Sequence, residues 1–543
     1  MPISHFPEIF DLLLKERGIT DVEKENFLNP DYSRLHDPML LPDMEKARER
    51  IIKAVRDNEH IVVFSDYDAD GIPGAVVFSD FFKRIKYENI SFYIPHRHDE
   101  GFGLNLEAVE ECAERGAKVL ITIDCGVSDV EEVALANEKG IDVIITDHHE
   151  PNDLLPEAYA IVNPKRKDSK YPFQGICGSA TAFKLVQAVF AKESFGVKPG
   201  MEKWSLDMVG IATLSDMVPL VDENRILARF GLEVLRKSPR PGLESLFKKL
   251  NLSRANLTED DVAFMITPRI NAASRMGKPE DAFKLLSTDD HAEADRLATH
   301  LETINNERKG AVASMVKAAK AELNKRETLG DVIVIGNPEW RPALAGLVAS
   351  SLVEEYERPA FVWARDGEGV LKGSCRSYNG YDLFALMEGA KESFLEFGGH
   401  KGAGGFSVTL EQLTTLEEKL SLALASISSE EAIENKGLVI SLSDISENLW
   451  QTVSQFAPFG TGNEKPVFKI SNAPIQNMRQ FGKENNHLEL SLGNGVKAIS
   501  FFSTPETYKL TNLQTSATLH AHLEKSFFRN RPELRLRIVN IEP

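Results

Sequence analysis

Three short acidic and imidazole-bearing segments carry the chemistry in this sequence: Asp66-Tyr67-Asp68-Ala69-Asp70-Gly71, Asp124 two residues before Gly126, and Asp147-His148-His149. A fourth candidate, Asp216, lies in Thr213-Leu214-Ser215-Asp216-Met217-Val218-Pro219-Leu220. Carboxylates at this density repel one another unless cations lie among them. A mixture of Asp oxygen and His nitrogen suits Mn²⁺ or Mg²⁺ better than a thiolate-seeking metal. Two ions are expected rather than one. A bridging carboxylate between metals about 3.5 to 4 Å apart lets one ion activate water while both stabilise charge building on phosphate oxygens. No Ser or Cys nucleophile is then required.

The elements around these segments explain why they should meet. Apolar, β-rich runs at Ile61 to Phe64, Ile90 to Ile94, Val119 to Ile123, Val143 to Ile145 and Ala160 to Val162 alternate with amphipathic stretches such as Leu106 to Arg115 and Val130 to Lys139. That alternation predicts an α/β fold with a doubly wound, mostly parallel sheet covered by helices on both faces. Ligands of such sheets bind outside the carboxyl ends of the strands. Three of the predicted strands deliver acidic or imidazole groups to that rim, and Asp216 sits in a helix-to-loop context that closes it. Each group has a plainer reading when taken alone. Asp124 reads as a helix N-cap, His148-His149 as a polar turn, and the Asp66 to Gly71 segment as a calcium loop, although the closing Glu of an EF-hand is missing. Their joint occurrence on successive strand ends favours the metal site.

Residues 1–45 read as a short helical lead-in without chemistry, and 46–288 as the first catalytic lobe, mainly helical after about residue 170. The stretch from Asp281 to Arg326 has no proline and only Gly310 as a breaker, which predicts a long connecting helix, bounded here as 289–330. A second, smaller α/β unit spans 331–427, and an acidic stretch, Ser428-Ser429-Glu430-Glu431, suits a linker. From 437 to 543 the runs are short and β-like, as in a small barrel. With 543 residues, the chain has room for three or four domains.

The formal net charge of −19 argues against broad basic surfaces that coat nucleic acid, so a polyanion must be met locally, where bound cations reverse the field. There is no apolar run long enough to span a bilayer, no basic-then-apolar start, and no CxxC spacing among Cys112, Cys125, Cys177 and Cys375. The expected setting is cytoplasmic, with reduced thiols and no membrane partner.

These residues resemble the successive motifs of the DHH phosphodiesterases. Phe397-Gly398-Gly399-His400-Lys401-Gly402-Ala403-Gly404-Gly405-Phe406 resembles the glycine-rich signature of the associated substrate-binding domain. Further segments are similar to the RecJ-like exonuclease branch: Pro268 to Arg275, Asn306-Glu307-Arg308, Gly373-Ser374-Cys375-Arg376-Ser377 and Pro458-Phe459-Gly460-Thr461-Gly462-Asn463. The likeness covers residues 45 to 540. It implies a nuclease of DNA repair and recombination that removes mononucleotides from single-stranded DNA in the 5′ to 3′ direction with two divalent cations, Mn²⁺ or Mg²⁺. A helicase and a single-strand-binding protein are its implied partners. By the same resemblance the ligands are Asp68, Asp70, Asp124, His148 and Asp216, with Asp66 and His149 beside them in ligand, proton-transfer or phosphate-contact roles. Arg97, Arg275, Arg308, Ser374 and Arg376 would grip substrate phosphates, including the terminal one, and Gly398, Gly399 and His400 would approach the strand near the cleavage point. Arginine forks and glycine-rich backbone suit phosphate oxygens on chemical grounds as well.

The carboxy-terminal unit resembles an OB fold, with Lys525, Phe527, Phe528, Arg529, Arg531, Arg535 and Arg537 as material for stacking bases and meeting phosphates. The plain alternative for Arg535 and Arg537 is a solvated edge strand. Pro73, Ser274, Arg341 and Gly404 depart from the family pattern at places that bear on substrate handling. Two other functions compete: a phosphodiesterase for short RNA or cyclic dinucleotides, and a catalytically silent scaffold that binds single strands.

Overall fold

The computed structural model describes residues 6–366, 369–427, 437–482, 485–510, 515–527 and 532–542. The Ser428 to Glu431 stretch and Phe528, Arg529 and Arg531 lie outside the described residues. In the first lobe β1 (Ile61–Ser65), β2 (Ile90–Tyr93), β3 (Val119–Ile123), β4 (Asp142–Thr146) and β5 (Ala160–Val162) form one parallel sheet in the order β2-β1-β3-β4-β5. The central strands β1, β3 and β4 are largely apolar because both faces are covered, whereas the edge strand β2 is half-buried along its length. Ile61 and Val63 pack with the helices Gly71–Ile85 and Gly178–Lys192, while Val62 and Phe64 pack with Leu106–Glu114 and Val130–Glu138.

The expected helix from Asp281 onward is two helices, Glu280–Ser287 and His291–Leu323. Asp290 separates them because its carboxylate accepts the backbone N–H of Ala292 and Glu293, a polar cap that starts a new helix. At 33 residues the second helix is about 50 Å long. Its first half (Leu297, Leu301) belongs to the core of the first lobe, and its second half (Met315, Ala319, Leu323) to the core of the next unit. One rigid rod therefore fixes the gap between them.

The second sheet runs β6 (Ile333–Gly336), β7 (Ala360–Arg365), β8 (Leu371–Arg376), β10 (Ala403–Val408), β9 (Glu396–His400), with β6 parallel to β7 and the rest antiparallel. The third contains β11 (Leu438–Val439), β12 (Phe468–Phe481), β13 (His487–Leu492), β14 (Lys497–Ser500), β15 (Ser516–Ser526) and β16 (Glu533–Glu542). Its order is β11-β12-β13-β14-β16-β15, and β12 also pairs with β15, so the pairings close on themselves. The lead-in helices Pro7–Glu16 and Asp21–Leu28 bury Phe10, Leu13, Leu14 and Leu28 against this third unit. Their role is to pack distant parts of the chain together. All four cysteines are buried and unpaired. Among the described residues no helix is long and apolar enough to cross a membrane.

Candidate metal centre and cationic rim

Beyond β1 the chain turns tightly around its own carboxylates. Asp68 Oδ1 accepts the backbone N–H of Asp70 at 2.7 Å and of Gly71 at 3.2 Å. A Cβ at Gly71 would lie 2.3 Å from the Asp66 carbonyl oxygen, so the turn requires glycine. The Asp70 carboxylate accepts the N–H of Gly178 (2.7 Å) and of Ser179 (2.8 Å), the free donors at the start of the helix Gly178–Lys192. Pro73, in the first turn of Gly71–Ile85, costs that helix no hydrogen bond because N–H groups there have no intrahelical partner.

Asp124 follows β3 with φ 62, a left-handed conformation that strains a non-glycine residue. It is not a helix N-cap, since the next helix starts at Val130 behind Asp129. The strain aims its carboxylate at His148, whose Nε2 lies 3.1 Å from Asp124 Oδ1, 3.7 Å from Asp70 Oδ2 and 3.7 Å from Asp216 Oδ2. Three overlapping sets each bring their ligand atoms within 4.8 Å of one another: Asp124, His148 and His149; Asp70, His148 and Asp216; Asp66, Asp68 and Asp124. Asp147 has a different task. It accepts the N–H groups of Val127, His148 and His149 and the Nδ1 proton of His149 at 2.8 Å, which fixes the ring and leaves His149 Nε2 open.

The electrostatics indicate what this cluster lacks. Burial first, and then repulsion from neighbouring aspartates, raises Asp66 and Asp124 well above the usual carboxylate range, and raises Asp68 as well. The same two causes push Asp216 up to about 8. Burial pushes His148 down to about 4. Burial works against a charge on His149 as well, but the hydrogen bond to Asp147 and the nearby carboxylates outweigh it and raise the ring to about 9. Asp147, despite its burial, is held at about 2 by the same contact. The buried Oδ1 atoms of Asp66 and Asp124 accept no hydrogen bond. Oxygen and imidazole donors that repel one another, with lone pairs unpaired, fit divalent cations of the Mn²⁺ and Mg²⁺ type.

Opposite the carboxylates stands a cationic rim. Burial, followed by Arg97, Arg308 and Arg376, lowers Arg275 to about 10, so these four guanidiniums share one field. The Arg97 guanidinium lies 4.8 Å from the centre of the Tyr67 ring, between the first acidic segment and the rim. Arg308 is steadied by Asn305 Oδ1 at 3.1 Å. Arg376 rests on the helix Pro342–Tyr356, its Nη2 only 2.7 Å from where a Cβ at Gly346 would be, and Ser374 precedes it by two on β8. Gly398, Gly399 and His400 are exposed on β9. A Cβ at Gly399 would lie 2.5 Å from the Ala403 carbonyl, so the β9–β10 hairpin needs glycine there. Burial, then the positive charges of His149 and Lys165, lowers His400.

Lys165 and Phe102 are absent from the sequence-derived site. Lys165 follows β5 by three residues, and its charge acts on His148, Asp216 and His400. The strand-end rule that found the aspartates points to it too. Phe102 is 59% exposed with its ring edge-on to His149 at 5.5 Å. In the third unit Phe527 is half-buried, and Arg535 and Arg537 both reach Glu524 across the β15–β16 ladder at 3.4 and 3.5 Å. Arg537 also lies 5.3 Å from Phe501 and 5.9 Å from Phe264 of the first lobe, beside an 81% exposed Phe502.

Family models agree with this architecture in three places: the DHH family N-terminal domain over residues 60–213, the DHHA1 domain over 329–426 and the RecJ OB domain over 438–540. The fold and site thus define a DHH-type protein. The single-stranded-DNA-specific exonuclease RecJ of Haemophilus influenzae is 30% identical over 566 residues, covering 100% of this chain and 97% of that protein. The Bacillus subtilis RecJ is 34% identical over 495 residues; these are 90% of this chain but span only 62% of that longer relative. The crystal structure of Thermus thermophilus RecJ in complex with Mn²⁺ superposes with a TM-score of 0.81 at 27% identity, over 98% of this chain and 76% of that one. The chain belongs to the RecJ family.

Proposed function

We propose that this chain hydrolyses single-stranded DNA from its 5′ end, releasing 5′-mononucleotides, with Mn²⁺ or Mg²⁺ held by Asp66, Asp68, Asp70, Asp124, His148 and Asp216. One observation carries the reading: carboxylates beyond two strand ends, Asp66, Asp68 and Asp70 after β1 and Asp124 after β3, converge with His148 after β4 and with Asp216, and the charges of Arg97 and Arg275 bear on them. The cations, when bound, supply activation of water and neutralisation of the developing charge on the scissile phosphate.

The chain's own residues do the rest. Arg275 and Arg376, with Arg97, Arg308 and Ser374, hold the terminal 5′ phosphate by bidentate contacts and so set which bond lies over the carboxylates. His149, pinned by Asp147 through Nδ1, leaves Nε2 to serve as the proton donor to the departing 3′ oxygen. The β9–β10 hairpin covers the cleavage point with His400 and bare glycine backbone. Phe501, Phe502, Arg537 and Phe264 provide stacking faces for bases farther along the strand. A surface of this length suits a polymer rather than a dinucleotide. The same reading places the protein in the cytoplasm, in DNA repair and recombination, on strands exposed by a helicase and covered by a single-strand-binding protein.

Strands labelled at either end, with and without Mn²⁺, test the proposal. A 5′ label should leave at once as mononucleotide, and a 3′ label should remain on progressively shorter strands. First release of the 3′ label, or no cleavage with Mn²⁺, overturns it.

A further inference from the structure

Asp216 is held differently from the other carboxylates of the cluster. Asp70 and Asp124 follow sheet strands, and their side chains are 1% and 5% exposed. Asp216 instead caps the helix Leu206–Ser215, is 27% exposed, and leads into a five-residue loop, 217–221, before the helix Asp222–Lys237. Met217 in that loop has φ 57 and is 73% exposed. A short connection of this kind does not by itself hold a carboxylate in place, so its support must come from elsewhere.

Part of the support is local, since buried Asn224 donates from Nδ2 to the Pro219 carbonyl at 3.0 Å, and part comes from residues more than two hundred positions away. The backbone N–H of Leu220 donates to the Thr461 carbonyl at 2.7 Å. A Cβ at Gly460 would lie 2.8 Å from Leu220 Cδ1, and one at Gly462 would lie 3.4 Å from Pro219 Cβ and 3.6 Å from Val221 Cγ1. Leu220 itself is 1% exposed, so the contact is a packed one. The loop 458–463 is rigid in turn. Gly460 and Asn463 exchange backbone hydrogen bonds at 3.0 Å, and the buried Asn463 amide donates to the carbonyls of Phe456 (2.9 Å) and Pro458 (2.8 Å). Arg17 of the lead-in donates to Asn463 Oδ1 at 2.7 Å. Arg225, from the far side of the 217–221 loop, donates to the carbonyls of Phe456 (2.9 Å) and Ala457 (3.1 Å).

We propose that the loop Pro458–Asn463, at the root of the third unit, is a positioning element for Asp216: Gly460, Gly462 and Asn463 let it seat on Pro219 to Val221 and thereby set the aspartate's place in the metal cluster. The inference rests on the reading of Asp216 as a ligand. It makes the docking of the C-terminal unit a determinant of cation affinity, in addition to any contact that unit makes with DNA.

Mn²⁺ binding to the full-length protein, followed by electron paramagnetic resonance without DNA, tests it. Gly460→Val should push Leu220 and weaken Mn²⁺ binding by about 10-fold or more, the range for residues that orient a ligand, while strand affinity measured in EDTA is kept. Adding Leu220→Ala to Gly460→Val makes room for the new side chain and should recover most of the affinity. Asn463→Ala, which adds no volume and removes two carbonyl contacts and the acceptor of Arg17, should weaken Mn²⁺ in the same direction. Unchanged Mn²⁺ affinity in folded Gly460→Val and Asn463→Ala, or a loss that Leu220→Ala does not relieve, overturns the proposal. Asp216→Ala is the reference: if it leaves Mn²⁺ affinity intact, the ligand reading fails instead.

Discussion

Replacing Gly178 by alanine perturbs the metal cluster without removing any of its groups. Gly178 opens the helix whose N–H groups hold Asp70, and alanine keeps that donor and favours the helix by up to about 1 kcal/mol. The added Cβ, however, would stand 2.6 Å from Asp124 Cβ and 2.8 Å from Asp124 Cα, where ordinary contact begins at 3.4 Å. Asp124 or the helix must yield by about 0.8 Å. A displacement of this order at a reacting centre costs about 10²-fold in rate, roughly 2.7 kcal/mol of transition-state stabilisation. Single-turnover degradation of a 5′-phosphorylated single strand at saturating Mn²⁺ measures the loss, and thermal melting shows that the fold persists. A rate within about threefold of the parent, in a protein that melts normally, would refute the claim that the Asp124 position limits catalysis.

Gly310 lies in the interior of the helix His291–Leu323 with open space where a Cβ would go, so Gly310→Ala should stabilise the protein by up to about 1 kcal/mol, read as a higher melting temperature with unchanged nuclease rate. Without metal, Asp216 at about 8 and His149 at about 9 both bind protons more tightly in the folded chain than in the unfolded one, so stability should fall as pH rises from 7 to 9. Mn²⁺ should restore it and release protons on binding, which calorimetry in buffers of different ionisation heat detects; binding without proton release at pH 7 would contradict the cause given for Asp216. Arg376→Lys keeps the charge but loses the planar fork, and should cut the preference for 5′-phosphate over 5′-hydroxyl ends by about tenfold in competition assays.

The first sheet was legible because a strand buried on both faces writes a continuous apolar run, and because the residue after such a run lies on the ligand-binding rim. That rule points to Asp66, Asp68 and Asp70 after β1, Asp124 after β3, and Asp147, His148 and His149 after β4. It extends to Lys165 after β5, where a lone lysine behind Asn163-Pro164 carries no ligand signal of its own. Asp147 reads as part of the metal group by adjacency, yet its side chain turns back to the chain and to His149, a difference of rotamer that spacing does not record. Contacts across the sequence were the least legible. Gly178 beside Asp124, Arg225 on the carbonyls of Phe456 and Ala457, and Leu220 against Gly460 depend on how remote segments dock, and no local pattern encodes them. Arg535 and Arg537 do share a strand face, but the carboxylate they share, Glu524, comes from the neighbouring strand.

The proposed cation seat lies among Asp66, Asp68, Asp70, Asp124, His148 and Asp216. Anomalous diffraction from crystals of this protein grown with Mn²⁺ measures that directly. Manganese peaks should lie among these six side chains, with Asp147 outside coordination distance, and Asp124→Asn crystals should lose density there. Peaks elsewhere, or none with the parent protein fully active, would contradict that placement.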